Sequence, residues 1–215
     1  MLLQGKKGRN MKAAIAICTL FLSCGAGFAQ DSGTLVISKG LPEKSVLVLD
    51  ANVGEVRIVR SEEDKTIQLT IDSRGDYDDA AMKSWVRRFD VAGHRASLDL
   101  ELPKHSGNNH SGPRVIVSVP EQTDLKLDLG VGEMTVKGIE GNKELHVGIG
   151  QVTVGVADVA KYSDIETSSK LGEADDDASH QRSGGFFPAT HHSSAQGMYK
   201  LRATVGIGQV SVEKN

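Results

Sequence analysis

Leu125-Lys126-Leu127-Asp128-Leu129-Gly130-Val131-Gly132-Glu133-Met134-Thr135-Val136 is the stretch whose reading decides the fold. Leu125, Leu127, Leu129 and Val131 alternate with Lys126, Asp128 and Gly130, the period of a strand with one buried face. After Gly132-Glu133 the apolar positions move to Met134 and Val136, from odd to even numbers. A straight strand cannot absorb that slip without turning its apolar face to water, so a corner is expected at the glycine. Glycine suits a corner because it allows positive φ and close backbone approach.

The same unit recurs. Residues 47–58, 125–136, 145–154 and 201–212 share the pattern, the third copy being shorter by one alternation. The slip falls at Gly54, Gly132, Gly150 and Gly208, and a fifth, weaker copy at 170–174 centres on Gly172. Glycine is correspondingly abundant, 24 of 215 residues, or about 11% against a usual share of roughly 7%. Gly132, Gly150, Gly172 and Gly208 lie 18, 22 and 36 residues apart in turn, periods that suit the coils of a solenoid. Each coil would carry short strands around a corner and stack on the next at about 4.8 Å. The expectation is an all-β chain, a single-stranded β-helix or solenoid, with an antiparallel β-sandwich of hairpins as the alternative. A repeated phase slip at a fixed place favours the solenoid, since hairpin turns do not require one.

Residues 34–120 are less regular. They read as strands at 34–38, 66–72, 97–102 and 114–119, with one helix over about 78–89. Met82, Trp85, Val86 and Phe89 supply its apolar face at i, i+3, i+4 and i+7. Asp76, Asp78 and Asp79 precede it and Arg87 and Arg88 end it, as the helix dipole favours. This helix is expected to plug one end of the stack. Residues 121–215 carry the regular coils, interrupted by a polar excursion over about 175–197.

The N-terminus reads as an address. Residues 1–29 combine a basic start, an apolar run over 13–22, and small residues ending Gly27-Phe28-Ala29, the three parts of a secretory signal. The mature chain is then 30–215, a single domain that is exported to the periplasm or cell surface. Met11-Lys12 could itself begin the signal, and Cys24 makes a partial match to a lipoprotein cleavage site with Phe21 where leucine is preferred. With cleavage after Ala29, Cys18 and Cys24 both leave and no disulfide remains. No later run approaches the roughly 20 apolar residues of a membrane span. The formal charge is −3, and the leader holds Lys6, Lys7, Arg9 and Lys12 with no acid, so the remainder is more acidic still. Nucleic-acid binding needs a basic footprint and is set aside.

The repeated Leu-x-Leu-x-x-Gly-Val/Ile-Gly-Glu/Gln-Val/Met-Thr/Ser-Val unit, with Val117-Ser118-Val119-Pro120 before it and a last copy closing the chain at 205–212, resembles the bacterial putative-adhesin domain family. The resemblance covers roughly 46–212 and is most specific over 125–174 and the C-terminal copy. It implies a right-handed β-helix and an envelope location, and it supplies no catalytic residues.

Several residue patterns in the chain offer candidate chemistry. Glu55, Glu133, Gln151, Glu173 and Gln209 hold the place after the corner glycine, so 133, 151 and 173 alternate acid, amide, acid along the chain. Two carboxylates could act as acid and base on a glycan. Stacked carboxylates repel, however, and interposed glutamines space them and offer amide hydrogen bonds, which is a structural reason for the pattern. Sugar enzymes also favour aromatic platforms, and 125–174 holds only Tyr162. Glu173, Asp175, Asp176 and Asp177 offer oxygen ligands to calcium, but as a single cluster without the spacing of calcium repeats. The pairs His191-His192 and His105 with His110 lack the cysteines or spacing of a zinc site, and Asn109-His110-Ser111 is read as an ordinary loop. No metal, cofactor or catalytic residue is assigned. Phe186-Phe187 holds two of the seven aromatics after the leader. Packed inward, the preferred reading, it pins the loop to the coils; exposed, it is a partner contact.

The leading expectation is therefore a non-enzymatic, adhesin-like envelope protein whose rigid face binds a protein or a cell-surface polymer. The alternatives are a polysaccharide lyase or hydrolase and an assembly or envelope-stress accessory of a membrane protein. The sequence leaves the oligomeric state open.

Overall fold

The computed structural model describes residues 33–75, 77–104, 112–177 and 180–214. The leader with Cys18 and Cys24, His105, Asn109 with His110, and Asp76 lie outside the described residues. In chain order the elements are β1 (Thr34–Gly40), β2 (Ser45–Arg60), β3 (Thr66–Asp72), α1 (Asp79–Trp85), β4 (Val86–Ala92), β5 (Arg95–Leu100) and β6 (Arg114–Val119). They continue with β7 (Thr123–Lys137), β8 (Lys143–Val156), β9 (Tyr162–Asp176), β10 (Gln181–Phe186), β11 (Ala189–Ser193) and β12 (Tyr199–Lys214). Among the described residues the fold is of the all-β class, with one short helix beside a mixed sheet of 12 strands that does not close on itself.

Each copy of the repeat is one long strand. β2, β7, β8, β12 and β9 lie side by side in that order, all parallel, with Gly54, Gly132, Gly150, Gly208 and Gly172 in one row. All five glycines have φ between 127° and 140°, a backbone region that side chains avoid. Space excludes a side chain as well. A Cβ on Gly132 would lie 1.9 Å from the Gly54 carbonyl oxygen, and one on Gly150 would lie 1.8 Å from that of Gly132. The burial phase flips across this row, as the sequence requires. In β7, Leu125, Leu127 and Leu129 are buried before the corner, and Met134 and Val136 after it. Val131 was expected on the buried face but is 47% exposed, because the inward phase ends at Leu129 and the corner occupies the next four residues.

The inward rows form one apolar cluster spanning both arms of every bent strand. Leu49, Leu127, Leu145 and Ala203 make one row, and Val56, Met134, Val152, Val210 and Ala174 another. Each fully buried Leu or Val side chain contributes about 1.5–3 kcal/mol.

Strand order corrects the expected succession of coils. β12 lies between β8 and β9, so Gly172 stacks on Gly208 and not on Gly150. Within the excursion over 175–197, Gln181–Phe186 and Ala189–Ser193 form strands. β10 and β11 fold back antiparallel on the two arms of β9 and form its outer edge. At the other end, the first arm of β2 pairs with β5 and its second arm with β6.

The helix is shorter than its apolar spacing suggests. Asp78 caps it by accepting from the Ala81 amide at 2.7 Å, and it ends at Trp85. From Val86 onward the chain pairs antiparallel with β5, and Phe89 reaches the core from a strand. Sheet hydrogen bonding beside β2 outweighs the local helical period. α1 packs on β1 and β4, and β5 and β6, not the helix, continue the stack.

Replacing Gly150 by alanine is expected to cost more than about 3 kcal/mol or to prevent folding, since both φ and space forbid the methyl group. Gly93→Ala, at φ 56° with open space around it, is expected to cost about 1 kcal/mol. Urea denaturation of the two variants checks the difference.

Candidate functional site

Parallel, in-register stacking turns each outward position into a row of side chains, so the outer face of the first arm can be read row by row. Lys126, Glu144, Arg202 and Glu166 follow one another across β7, β8, β12 and β9. Their charges alternate and pair: Lys126 Nζ lies 3.1 Å from Glu144, and Arg202 donates to Glu166 from Nε at 3.0 Å and from Nη2 at 3.2 Å. Beside them runs a second row of Asp124, Asn142, Lys200 and Asp164. The Asn142 backbone amide donates to Asp124 at 2.7 Å, and the Lys200 amide donates to Asn142 Oδ1 at 3.0 Å. His191 of β11 meets Asp164 at 2.8 Å. These rows line a depression of about 630 Å³ with Leu125, Lys143 and Leu201 among its walls. It presents charged and amide groups at the strand pitch and has no aromatic platform.

A third outward row, Asp99, Asp50, Asp128 and His146, crosses β5, β2, β7 and β8. Partial burial, then the charges of Asp128 and Asp99, push the Asp50 pKa up. The row gives this end of the face an acidic character.

The corner carboxylates stand in the spatial order Glu55, Glu133, Gln151, Gln209, Glu173, so the acid–amide–acid alternation read along the chain is corrected. Two amides now separate Glu133 from Glu173. Glu55 is held by Arg57 at 2.6 Å, by Arg114 at 3.1 Å and by Arg74. Burial pushes its pKa up, but hydrogen bonds and charge from Arg74 and Arg114 outweigh that and leave it lowered. A carboxylate so held is a poor proton donor.

The loop candidates do not converge. Arg182 donates to Asp175 at 2.9 Å, and Asp176 is wholly buried. Among the described residues, no group of three or more His, Cys, Asp or Glu side chains could hold a metal ion. Phe186 and Phe187 are 82% and 77% exposed, which corrects the reading that they pack inward. β10 reaches the corner at Phe186 opposite Leu171, and the hydrogen bond from the Phe187 amide to Lys170 turns the chain outside the core.

One buried group escaped the sequence reading. Lys143 aligns with Leu125 and Leu201 in an inward row and is 2% exposed. It is why the third repeat is one alternation short: a lysine occupies the leucine position. Its ammonium donates to the Gly141 carbonyl at 3.2 Å and to the Tyr162 hydroxyl, and lies 4.7 Å from the Tyr162 ring centre. Burial lowers its pKa to about 7 against the opposing pull of Glu140 and Asp124. Tyr162 packs against Tyr199 with ring centres 5.9 Å apart, and burial first, then Glu140 and Tyr199, push its pKa up.

No family model matches the chain, and no curated protein sequence does either. Among solved structures it is similar to a putative cell adhesion protein from Clostridium sporogenes, at 15% identity over 85% of this chain and 100% of that one, with a TM-score of 0.53. It also aligns with a putative adhesin from Bacteroides fragilis at 13% identity over 84% and 97% of the chains, with a TM-score of 0.28. With its TM-score of 0.28 the second likeness carries no argument, and the first, at 15% identity, shows the fold alone. No helix among the described residues is long and apolar enough to cross a membrane.

Lys143 sets a pH dependence whose sign follows from its surroundings. Its folded pKa of about 7 lies below the unfolded value of 10.5, so between them the unfolded chain binds the extra proton. Stability should therefore rise with pH across that window, by up to about 1.4 kcal/mol per unit from this group. Lys143→Leu should raise the urea midpoint at pH 7, and the gain should shrink towards pH 10. Denaturation of both forms at several pH values measures it.

Proposed function

We propose that the chain is an exported, non-enzymatic envelope or surface protein of the putative-adhesin type. Its bent strands form a β-solenoid that presents a rigid face to another protein or a cell-surface polymer. One observation carries this reading: the in-register rows of charged and amide side chains across β7, β8, β12 and β9 around the depression of about 630 Å³. Backbone pairing fixes the spacing of those groups, so little side-chain ordering is needed when an extended, regularly repeating ligand lies across them. Beside these cross-row pairs, Lys200 is exposed. The likeness in fold to the clostridial protein supports the adhesin reading, and the leader supports export.

Chemistry favours binding over cleavage. Among the described corner carboxylates, Glu55 is tied up by arginines, and two glutamines separate Glu133 from Glu173. Glu173, Asp175, Asp176 and Asp177 are read as structural, and Phe186 and Phe187 as contact residues.

Co-sedimentation with insoluble bacterial cell-wall polymer across a salt series, with crosslinking in intact cells beside it, tests this function. Retention on the polymer or capture of one envelope protein is expected. Lys200→Ala with Arg202→Ala should weaken it on the order of tenfold. Arg87→Ala, on β4, should leave it unchanged. Failure of both assays, or binding indifferent to the Lys200 and Arg202 changes, contradicts the assignment.

A further inference from the structure

One row on the outside of the bend is apolar in every strand it crosses. Val53, Val131, Ile149, Ile207, Leu171 and Phe186 hold the same register position in β2, β7, β8, β12, β9 and β10. Val53 packs partly on the core, whereas the other five are 47, 50, 50, 41 and 82% exposed in that order, with Phe187 exposed beside them. Five steps of about 4.8 Å make the row roughly 24 Å long. A single exposed aliphatic side chain needs no explanation, but a continuous row does. Nothing in the bend demands it, since Glu133, Gln151, Gln209 and Glu173 stand two residues further on in the same strands.

We propose that this row is a self-association surface on which a second copy of this chain docks, row against row. Three observations select that occupant. The first is area: the six exposed side chains from Val131 to Phe187 offer roughly 700 Å² of apolar surface, close to the ~800 Å² each partner buries in a standard interface. The second is pitch. Side chains repeated at about 4.8 Å are matched rung for rung by another stack of parallel strands, and a second copy supplies one with the same composition.

Charge is the third. A two-fold axis along the row turns the Glu and Gln side of each copy towards the Gly130, Gly148, Gly206 and Lys170 side of the other. Glu173 then faces Lys170 of the second copy at the same rung, and like meets like along the apolar row. Docking with the rows reversed would instead set Glu133 against Glu173, a repulsive contact. The row and the charged depression are different surfaces, so self-association does not depend on the function proposed above.

Sedimentation equilibrium of the full chain, with Cys18 and Cys24 replaced by serine, tests this between about 1 and 100 µM. A species of twice the chain mass is expected. Ile149→Lys with Ile207→Lys should return it to a single-chain mass with an unchanged circular dichroism spectrum, because both side chains are half exposed. Phe186→Ser should weaken association at least several-fold. Ile149→Cys should form a disulfide-linked pair in mild oxidant, since the axis sets each rung against itself, whereas Thr153→Cys should not. A single-chain mass at every concentration overturns the proposal. So does a dimer that survives Phe186→Ser and fails to crosslink through Ile149→Cys, and these two variants decide the matter even if the lysine variant does not fold.

Discussion

Backbone meets backbone at the corner, and the rest of the molecule depends on that contact. Gly132, Gly150, Gly208 and Gly172 each stack so closely on a neighbouring corner glycine that a Cβ would fall within 2 Å of its carbonyl oxygen, and Gly54 ends the row with its own Cβ position 3.0 Å from the Pro113 carbonyl oxygen. The bend therefore admits one register. A slip of a single residue would bring Val131 or Glu133 to the glycine row and turn the leucines outward. Once the corner is fixed, the inward rows, the charged outer rows and the exposed apolar row all follow from period-two alternation on either side of it. The proposed binding face and the proposed self-association row are thus two consequences of one steric constraint.

Polar groups enter the apolar interior at several places along the stack, Ser45 and Thr123 of β2 and β7 among them. Lys143 enters a leucine row in β8, while Thr167 and Ser169 stand inward in β9 next to Ala203 and Val205 of β12. Each has a partner: Thr167 and Thr190 of β11 share a hydrogen bond of 2.6 Å, and Ser169 donates to the Gly208 carbonyl at 3.3 Å. Such groups are tolerable in a core only when satisfied. The antiparallel cover of β10 and β11 helps supply that satisfaction, which is why the terminal strand can depart from the repeat.

The corner was legible because a phase slip has few physical solutions, and residues 47–58, 125–136 and 201–212 all display it cleanly. Strands β3 and β6 matched their sequence bounds for the same reason, strict alternation. Neighbour order was not legible. Glycine spacing along the chain says how long each excursion is, not which strand it returns to, so the placement of β12 between β8 and β9 left no mark in the sequence. The first arm of β9 was hidden because Thr167 and Ser169 break the apolar alternation. Helix α1 was overextended because Phe89 suits a strand as well, where it shares a face with Val91, and a register shift between Val86 and Arg88 lets the chain leave the helical period and pair with β5. Of the candidate site, the corner carboxylates were visible as a pattern, but the pairing of Glu55 with Arg74 and Arg114 is long-range. The outward placement of Val131 and its equivalents required knowing where the inward phase ends.

Disulfide trapping of neighbouring corner positions tests the stacking order most directly. With Cys18 and Cys24 replaced by serine, Gln151→Cys with Gln209→Cys places two thiols on adjacent strands in register, within bridging distance. Gln151→Cys with Glu173→Cys places them two strands apart, at roughly 10 Å and beyond reach. Rapid intramolecular bridging is expected in the first pair and none in the second. Bridging of 151 to 173 with none between 151 and 209 would mean that the strands stack in chain order, and the shared register on which both proposed surfaces rest would be wrong.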